Sequence, residues 1–201
     1  MDILELFSGT ASFSEMAKKR GHNTFTVDID SGFNPDCCCS VLDFDIDDQF
    51  PDVIWASPPC QCFSVASIGT HWTGGKEAYI PKTDKAKESI KLVKKTVDII
   101  EHLQPKYFFI ENPRGVLRKL GLIPYPLKTC CYCQYGDTRM KPTDIWTNLE
   151  GWVPKMCHNG SKDHEEARRG AKTGTQGLKG SVDRSRVPMD LCNELLDVVE
   201  G

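Results

Sequence analysis

No run of about eighteen consecutive apolar residues occurs in the chain, which argues against a membrane-spanning helix of ordinary length and predicts no membrane partner. No basic segment leading into an apolar stretch opens it either. A strand-like pattern begins at once at Asp2, as expected of a cytosolic, cytoplasmic protein without a secretory leader. Internal repeats are absent. A disulfide framework is missing as well, in spite of 10 cysteines. They crowd into Cys37-Cys38-Cys39, Cys60/Cys62 and Cys130/Cys131/Cys133, with Cys157 and Cys192 apart, and neighbouring cysteines favour thiol or metal chemistry over cross-linking. The 201 residues suffice for one well-buried α/β domain and are short for two.

Charge of neither sign dominates, but the net charge of -3 conceals an asymmetry. Asp28, Asp30, Asp36, Asp43, Asp45, Asp47, Asp48 and Asp52 make the first third acidic, while lysine and arginine dominate from Lys76 to Lys95 and from Arg168 to Arg186. Such a division suits a protein holding a cationic cofactor in one place and a phosphate backbone in another. Solvated surface accounts equally well for any single cluster.

Strand-length apolar runs that end in small, acidic or proline residues predict a Rossmann-like α/β fold, a mostly parallel sheet flanked by helices. Asp2 to Phe7 reads as a strand and runs into Ser8-Gly9-Thr10-Ala11-Ser12 and a helix that stops near Gly21. A strand, a small-residue turn and a helix let a ligand approach the backbone, although only one glycine is present here. Thr24 to Val27 is a second strand with Asp28 at its tip, about twenty residues after the turn, where an acid accepts ribose hydroxyls. Cys37 to Leu42 reads as a third strand leading to Asp43-Phe44. Turn chemistry alone would also explain both aspartates.

Val53 to Ser64 begins as an apolar run and is stopped by Pro58-Pro59, which presents Cys60 at a strand end, where ligands of open α/β sheets bind. The turn that follows would favour a thiolate, and an inert buried cysteine is the alternative. Val65 to Lys82 is polar, glycine-broken and long, and reads as a mobile active-site loop in which Trp72 either stacks on a base or packs down. Thr83 to Leu103 has helical spacing of Ile90, Val93, Val97, Ile100 and Leu103. Tyr107 to Ile110 is a buried strand ending in Glu111-Asn112-Pro113, and a carboxylate after such a run is costly unless paired, protonated or at a site. Thr129 to Cys133 and Thr143 to Trp146 look like late strands. Residues 149–187 are loop-rich and basic, and 188–199 form an amphipathic closing helix. Cys130, Cys133, Cys157 and His164 have ligand types that a structural zinc accepts, while reduced thiols with surface histidines are the ordinary alternative.

Leu6-Phe7-Ser8-Gly9 with Ser12, Asp28 and Asp43 at strand ends, Pro58-Pro59-Cys60-Gln61 with Phe63-Ser64, and Glu111-Asn112 together resemble the cytosine-5 DNA methyltransferases. Tyr135-Gly136 followed by Arg139 and Lys141 adds a weaker match, and the likeness covers most of residues 1 to 148, the expected catalytic core. It implies S-adenosylmethionine bound along Phe7, Ser8, Gly9, Thr10, Ala11 and Ser12, with Asp28 on the ribose, Ile29 against the adenine and Asp43 near its amino group. Phe44, Ser57 and Pro59 complete the implied cofactor set. Cys60 would add to carbon 6 of a cytosine, Glu111 would hold ring nitrogen 3, and Arg139 or Lys141 would face the carbonyl or a phosphate. Duplex DNA would have to release the base from its stack.

The chain departs from the family at Ala11 in place of a glycine, at Pro113 after Glu-Asn, and in a shortened basic motif with Lys141 in place of an arginine. Only residues 149 to 201 remain where a target-recognition domain usually sits, so base-specific contacts are few, or come from a protein partner or the basic tail. Ser185-Arg186-Val187-Pro188 is the candidate for the family's closing motif, which returns to the cofactor. Two rival readings stay open. In an exocyclic-amino methyltransferase an aromatic would be expected where Cys60 stands, and a non-catalytic binding module would retain only the fold.

Overall fold

The computed structural model describes residues 1–47, 49–75, 78–158, 160–165 and 180–201. Lys76, Asp48 and the basic stretch from Arg168 to Lys179 therefore lie outside the described residues. In chain order the elements are β1 (Asp2–Leu6), α1 (Ser12–Lys19), β2 (Asn23–Asp28), β3 (Cys37–Cys38), β4 (Val53–Ala56), α2 (Ile68–His71), β5 (Trp72–Thr73), β6 (Ile80–Pro81), α3 (Asp84–Leu103), β7 (Tyr107–Pro113), β8 (Leu127–Cys131), β9 (Pro142–Thr147), α4 (Ser181–Ser185) and α5 (Met189–Glu200). Seven strands form one sheet in the order β3-β2-β1-β4-β7-β9-β8. The pairings from β3 through β7 are parallel, and β9 and β8 join antiparallel. This is the expected α/β architecture. Among the described residues no helix is long and apolar enough to cross a membrane.

Strand alternation divides the core between the two faces of the sheet. Leu4, Leu6, Ile54, Ala56, Phe108 and Ile110 pack with α3 through Val93, Val97 and Ile100. Ile3, Val53, Trp55 and Phe109 pack on the other face with Phe13 and Ala17 of α1 and with Leu191, Leu195 and Leu196 of α5. Phe13 lies on Trp55 with ring centroids 4.7 Å apart and planes 13° from parallel. Burial of both faces explains why these central strands read as nearly continuous apolar runs. Thr83 caps α3 by accepting the Ala86 N–H, and Gln104 ends it in the left-handed region at φ 46°. Arg20, just past α1, pairs with Asp197 at 2.6 Å and also with Glu200, which fastens α5 to α1.

Two elements differ from expectation. The strand foreseen over Cys37 to Leu42 stops at Cys38, because Ser40 accepts the Leu42 N–H through its hydroxyl and the Asp43 N–H through its carbonyl, which turns the chain locally. The segment 65–82 is not an unstructured loop where it is described. It holds α2 and the small β5–β6 ribbon, and Trp72 is buried there with its indole N–H donating to the Cys62 carbonyl at 2.7 Å. Trp72 therefore packs down beside Phe63 and is not offered to a base.

Candidate active site

Cys60 stands after β4 in a loop clamped from the adjacent strand. Asn112, fully buried near the end of β7, donates its Nδ2 to the Pro58 carbonyl at 2.9 Å, and the Val116 N–H donates to the Phe63 carbonyl at 2.8 Å. Gly115 meets that same carbonyl so closely that a Cβ would lie 2.1 Å from its oxygen, so a side chain is excluded here by close approach. The Cys60 carbonyl accepts the Phe63 and Ser64 N–H groups, so the thiol heads a single tight turn.

Burial outweighs the turn's backbone N–H, which lowers the thiol as the sequence suggests. Burial, and then the charge of Glu111, raise Cys60 above the ordinary cysteine value, while Lys141 and Arg184 pull in the opposite direction. Cys60, Glu111, Lys141 and Arg184 thus share one electrostatic environment. Glu111 is buried on the same face of β7 as Phe109, and its Oε1 accepts the Tyr132 hydroxyl at 2.8 Å. Lys141 lies 4.6 Å from the centre of the Tyr132 ring and donates to the Arg184 carbonyl at 3.0 Å. Of the two basic residues expected, Lys141 is the one coupled to Cys60. Arg139 is buried and engaged by Asp137, which its Nε meets at 2.7 Å.

The cofactor loop follows β1. Phe7, Gly9 and Ala11 all adopt positive φ (57°, 46° and 50°), and no atom lies within 4 Å of the place a Gly9 Cβ would take. Asp28 holds the loop by accepting the Gly9 N–H at Oδ2 and the Asp30 N–H at Oδ1, each at 2.8 Å. Ile29 beside it is 74% exposed, an apolar surface at the tip of β2. Ser8 is buried, and the Thr10 and Ser12 hydroxyls are 3.1 Å apart. Val187 returns to this loop, its N–H donating to Ser12 Oγ at 3.4 Å, which supports the closing role read for residues 185–188. Asp43 stands exposed at its turn, and Ser57 accepts the Trp55 indole N–H at 2.9 Å beside the exposed Pro59. Phe44 points inward instead, buried with its ring 6.3 Å from Phe25, so it contributes to the core.

The family described as C-5 cytosine-specific DNA methylase matches residues 1–120, a span that includes the cofactor loop, Cys60 and Glu111. The chain belongs to this family. The "Probable DNA (cytosine-5)-methyltransferase" of Frog virus 3 (isolate Goorha) is 35% identical over 217 residues, covering 98% of this chain and 100% of the relative. Among solved structures, the methyltransferase EhMeth of Entamoeba histolytica is similar with a TM-score of 0.54 and 16% identity, over 80% of this chain and 57% of that one. A prophage-encoded protein from E. coli, described as a DNA modification methyltransferase, gives 0.52 and 17%, over 79% and 52%. These likenesses show the fold. The chain spans little more than half the length of those solved proteins.

Within this cytosine-5 methylase the expected metal set is only partly assembled. Cys133, Cys157 and His164 converge, but Cys130 does not join them. Alternation along β8 sends Cys130 into the core with Tyr132 and Ile145, while Cys131 packs with Cys133 and Cys157. Sequence reasoning also missed Tyr132 and Glu5. Glu5 is a buried acid in central strand β1 that accepts the Ser14 N–H at 2.7 Å and so caps the start of α1 from a distance. Its signal was available: a strand with parallel neighbours on both sides is covered on both faces, so an acid within it needs a partner.

Proposed function

We propose that the chain methylates carbon 5 of cytosine in DNA, with S-adenosylmethionine as donor and Cys60 as covalent nucleophile. The observation that carries this reading is that the partly buried thiol of Cys60, just past β4, and the buried carboxyl group of Glu111, on the adjacent strand β7, act on one another electrostatically, with Lys141 before β9 opposing Glu111. Carbon 5 of the ring is unreactive until its conjugation is broken, so the reaction needs a soft nucleophile and an acid facing it. Cys60 Sγ would give its proton to solvent and bond to carbon 6, while the Glu111 carboxyl group, oriented by Tyr132, gives a proton to ring nitrogen 3. Carbon 5 could then take a methyl group, after which its own proton passes to solvent. The electron pair left behind re-forms the ring double bond, expels Cys60 Sγ as the thiolate and returns the nitrogen 3 proton to Glu111.

The cofactor fits the residues present. The left-handed turn with open space over Gly9, the Asp28 carboxylate whose oxygens keep accepting capacity, and the exposed Ile29 are suited to a backbone-approaching tail, a ribose and an adenine respectively. When bound, S-adenosylmethionine supplies an electrophilic methyl group carried on a sulfonium. Phe7 to Ser12 would hold it with Asp28, Ile29 and Asp43, and Val187 closes over Ser12. Recognition of the DNA sequence falls to the residues after β9 or to a protein partner. An exocyclic-amino reaction is less consistent with a cysteine directly after Pro58-Pro59.

The test is transfer of labelled methyl groups to DNA, together with adduct formation on DNA containing 5-fluorocytosine. Wild type forms a denaturation-resistant adduct and transfers label, and Cys60→Ala does neither. Absence of both in the wild type on every DNA tried would falsify the proposal.

A further inference from the structure

We propose that Cys131, Cys133, Cys157 and His164 form a closed structural zinc site that fastens the segment after β9 to the end of β8. The ligand atoms of Cys133, Cys157 and His164 lie within 4.8 Å of one another, and Cys157 Sγ is 3.3 Å from His164 Nδ1. Zinc bonds of about 2.3 Å to sulfur and 2.0–2.1 Å to nitrogen place tetrahedral ligand atoms roughly 3.5–3.8 Å apart. The observed spacing therefore needs little adjustment to admit the ion. Cys131 is the candidate for the fourth position: it is fully buried in the same cluster and its thiol reaches the Cys157 carbonyl at 3.7 Å, but its Sγ stands outside the group of three ligand atoms, so its side chain must turn toward the ion.

The surroundings favour a metal over simple packing. Among the described residues Met140 is the one hydrophobic side chain packed against this cluster, whereas the two main cores are built mostly from aliphatic and aromatic side chains. Buried thiols are weak hydrogen-bonding groups, so on their own they hold a segment poorly. Yet residues 148–158 form no helix or strand, and Val153 is 82% exposed. The first half of this segment is anchored by buried Leu149 and Trp152 and by Lys128, whose Nζ donates to the carbonyls of Leu149, Glu150 and Trp152. Beyond Lys155 the ties to the rest of the chain include the Gln134 Nε2 on Asp163 at 3.0 Å and the Glu165 N–H on the Thr138 carbonyl at 2.9 Å, so it is this second half that an ion would fasten. A divalent ion replacing three thiol protons would add a strong cross-link there.

The placement gives the ion a purpose. Cys131 and Cys133 flank Tyr132, the residue that holds Glu111, and His164 directly precedes the sequence carrying Arg168, Arg169, Lys172 and Lys179. The metal would fix the near end of that basic stretch beside the reacting groups. The far end is already held where Arg184 and Val187 meet Lys141 and Ser12.

The full chain, purified from zinc-supplemented cells without chelator, is expected to carry about one zinc per molecule by elemental analysis. Cys131→Ser, Cys133→Ser and Cys157→Ser each lower that content by roughly tenfold or more. Cys130→Ala keeps it, which separates the two adjacent thiols. His164→Cys preserves a four-ligand set, so it retains zinc, and after exchange with cobalt it shows stronger thiolate-to-metal charge transfer than wild type. This variant keeps the question answerable if a serine variant does not fold. Metal-free wild type that also gives no tetrahedral cobalt spectrum overturns the proposal. So does zinc that persists in both Cys133→Ser and Cys157→Ser. Loss of zinc from Cys130→Ala with retention in Cys131→Ser overturns the ligand set. These readouts do not depend on methyl transfer, so the site stands or falls separately from the catalytic reading.

Discussion

Asn112 and Pro58 are joined by a single buried hydrogen bond, Nδ2 to carbonyl oxygen at 2.9 Å, which sets the end of β7 against the loop that presents Cys60. The neighbouring side chain on β7 is Glu111, so the strand that supplies the acid also fixes the position of the nucleophile. Asn112→Ala leaves the Pro58 carbonyl without its donor at a cost of about 1–3 kcal/mol in unfolding free energy. The rate of adduct formation on 5-fluorocytosine DNA should fall further, by roughly a hundredfold, because small misplacement of reacting groups is expensive. Calorimetric binding of the cofactor should change far less than this, since Asn112 acts on the loop at Pro58 and leaves the Asp28 to Gly9 bond that holds the Phe7–Ser12 turn.

Gly115 tests the same clamp from its other end. Gly115→Ala forces a methyl group into the Phe63 carbonyl, so the loop or the turn after β7 must move. Denaturant titration is expected to show a loss of about 1–3 kcal/mol, and adduct formation should drop with it. A fully active and equally stable variant would show that the contact is not limiting.

Charge around Cys60 can be read from the pH dependence of its alkylation. Lys141 lowers the thiol and Glu111 raises it. Lys141→Met should therefore shift the alkylation profile to higher pH, and Glu111→Gln should shift it to lower pH. Shifts in one direction for both variants would contradict the arrangement described.

Glu5 gives the fold a pH dependence of its own. Burial, opposed by its bonds to the Ser14 and Phe13 N–H groups, raises its carboxyl to about 7. A raised carboxyl favours the protonated form in the folded state, so its contribution to stability is whole below about pH 4.5 and is lost as pH rises toward 7. The difference from the ordinary value of 4.5 corresponds to about 3 kcal/mol. Glu5→Gln keeps an acceptor for the Ser14 N–H and removes the charge. Chemical denaturation should find wild type losing stability relative to this variant between pH 5 and pH 8, with the two similar near pH 5.

The reacting groups were legible because each interrupts an apolar run: Cys60 behind two prolines, Glu111 behind four large residues, Gly9 between strand and helix. Interruptions of that kind survive ignorance of the fold. Cys130 against Cys131 did not, since adjacent residues of a strand face opposite ways and the choice depends on a register that composition does not reveal. Glu5 looked like the polar half of an alternating strand and is buried because α1 and α5 cover that face. Tyr132 gave no signal, because its partner is 21 residues away and reaches it only once β7 and β9 are paired. The turn that shortened the third strand rests on one serine, which a run of cysteines and valine had concealed.

The Val187 to Ser12 contact spans 175 positions of sequence. The loop at Phe7 to Ser12 consequently waits for the ribosome to release the intervening chain before its covering segment arrives. Until Leu191, Leu195 and Leu196 reach the sheet, Trp55 and Phe13 present an open apolar face, so the nascent protein passes through a state in which the donor-binding turn exists without its roof. A truncation that removes α5 should accordingly release a chain captured by chaperones.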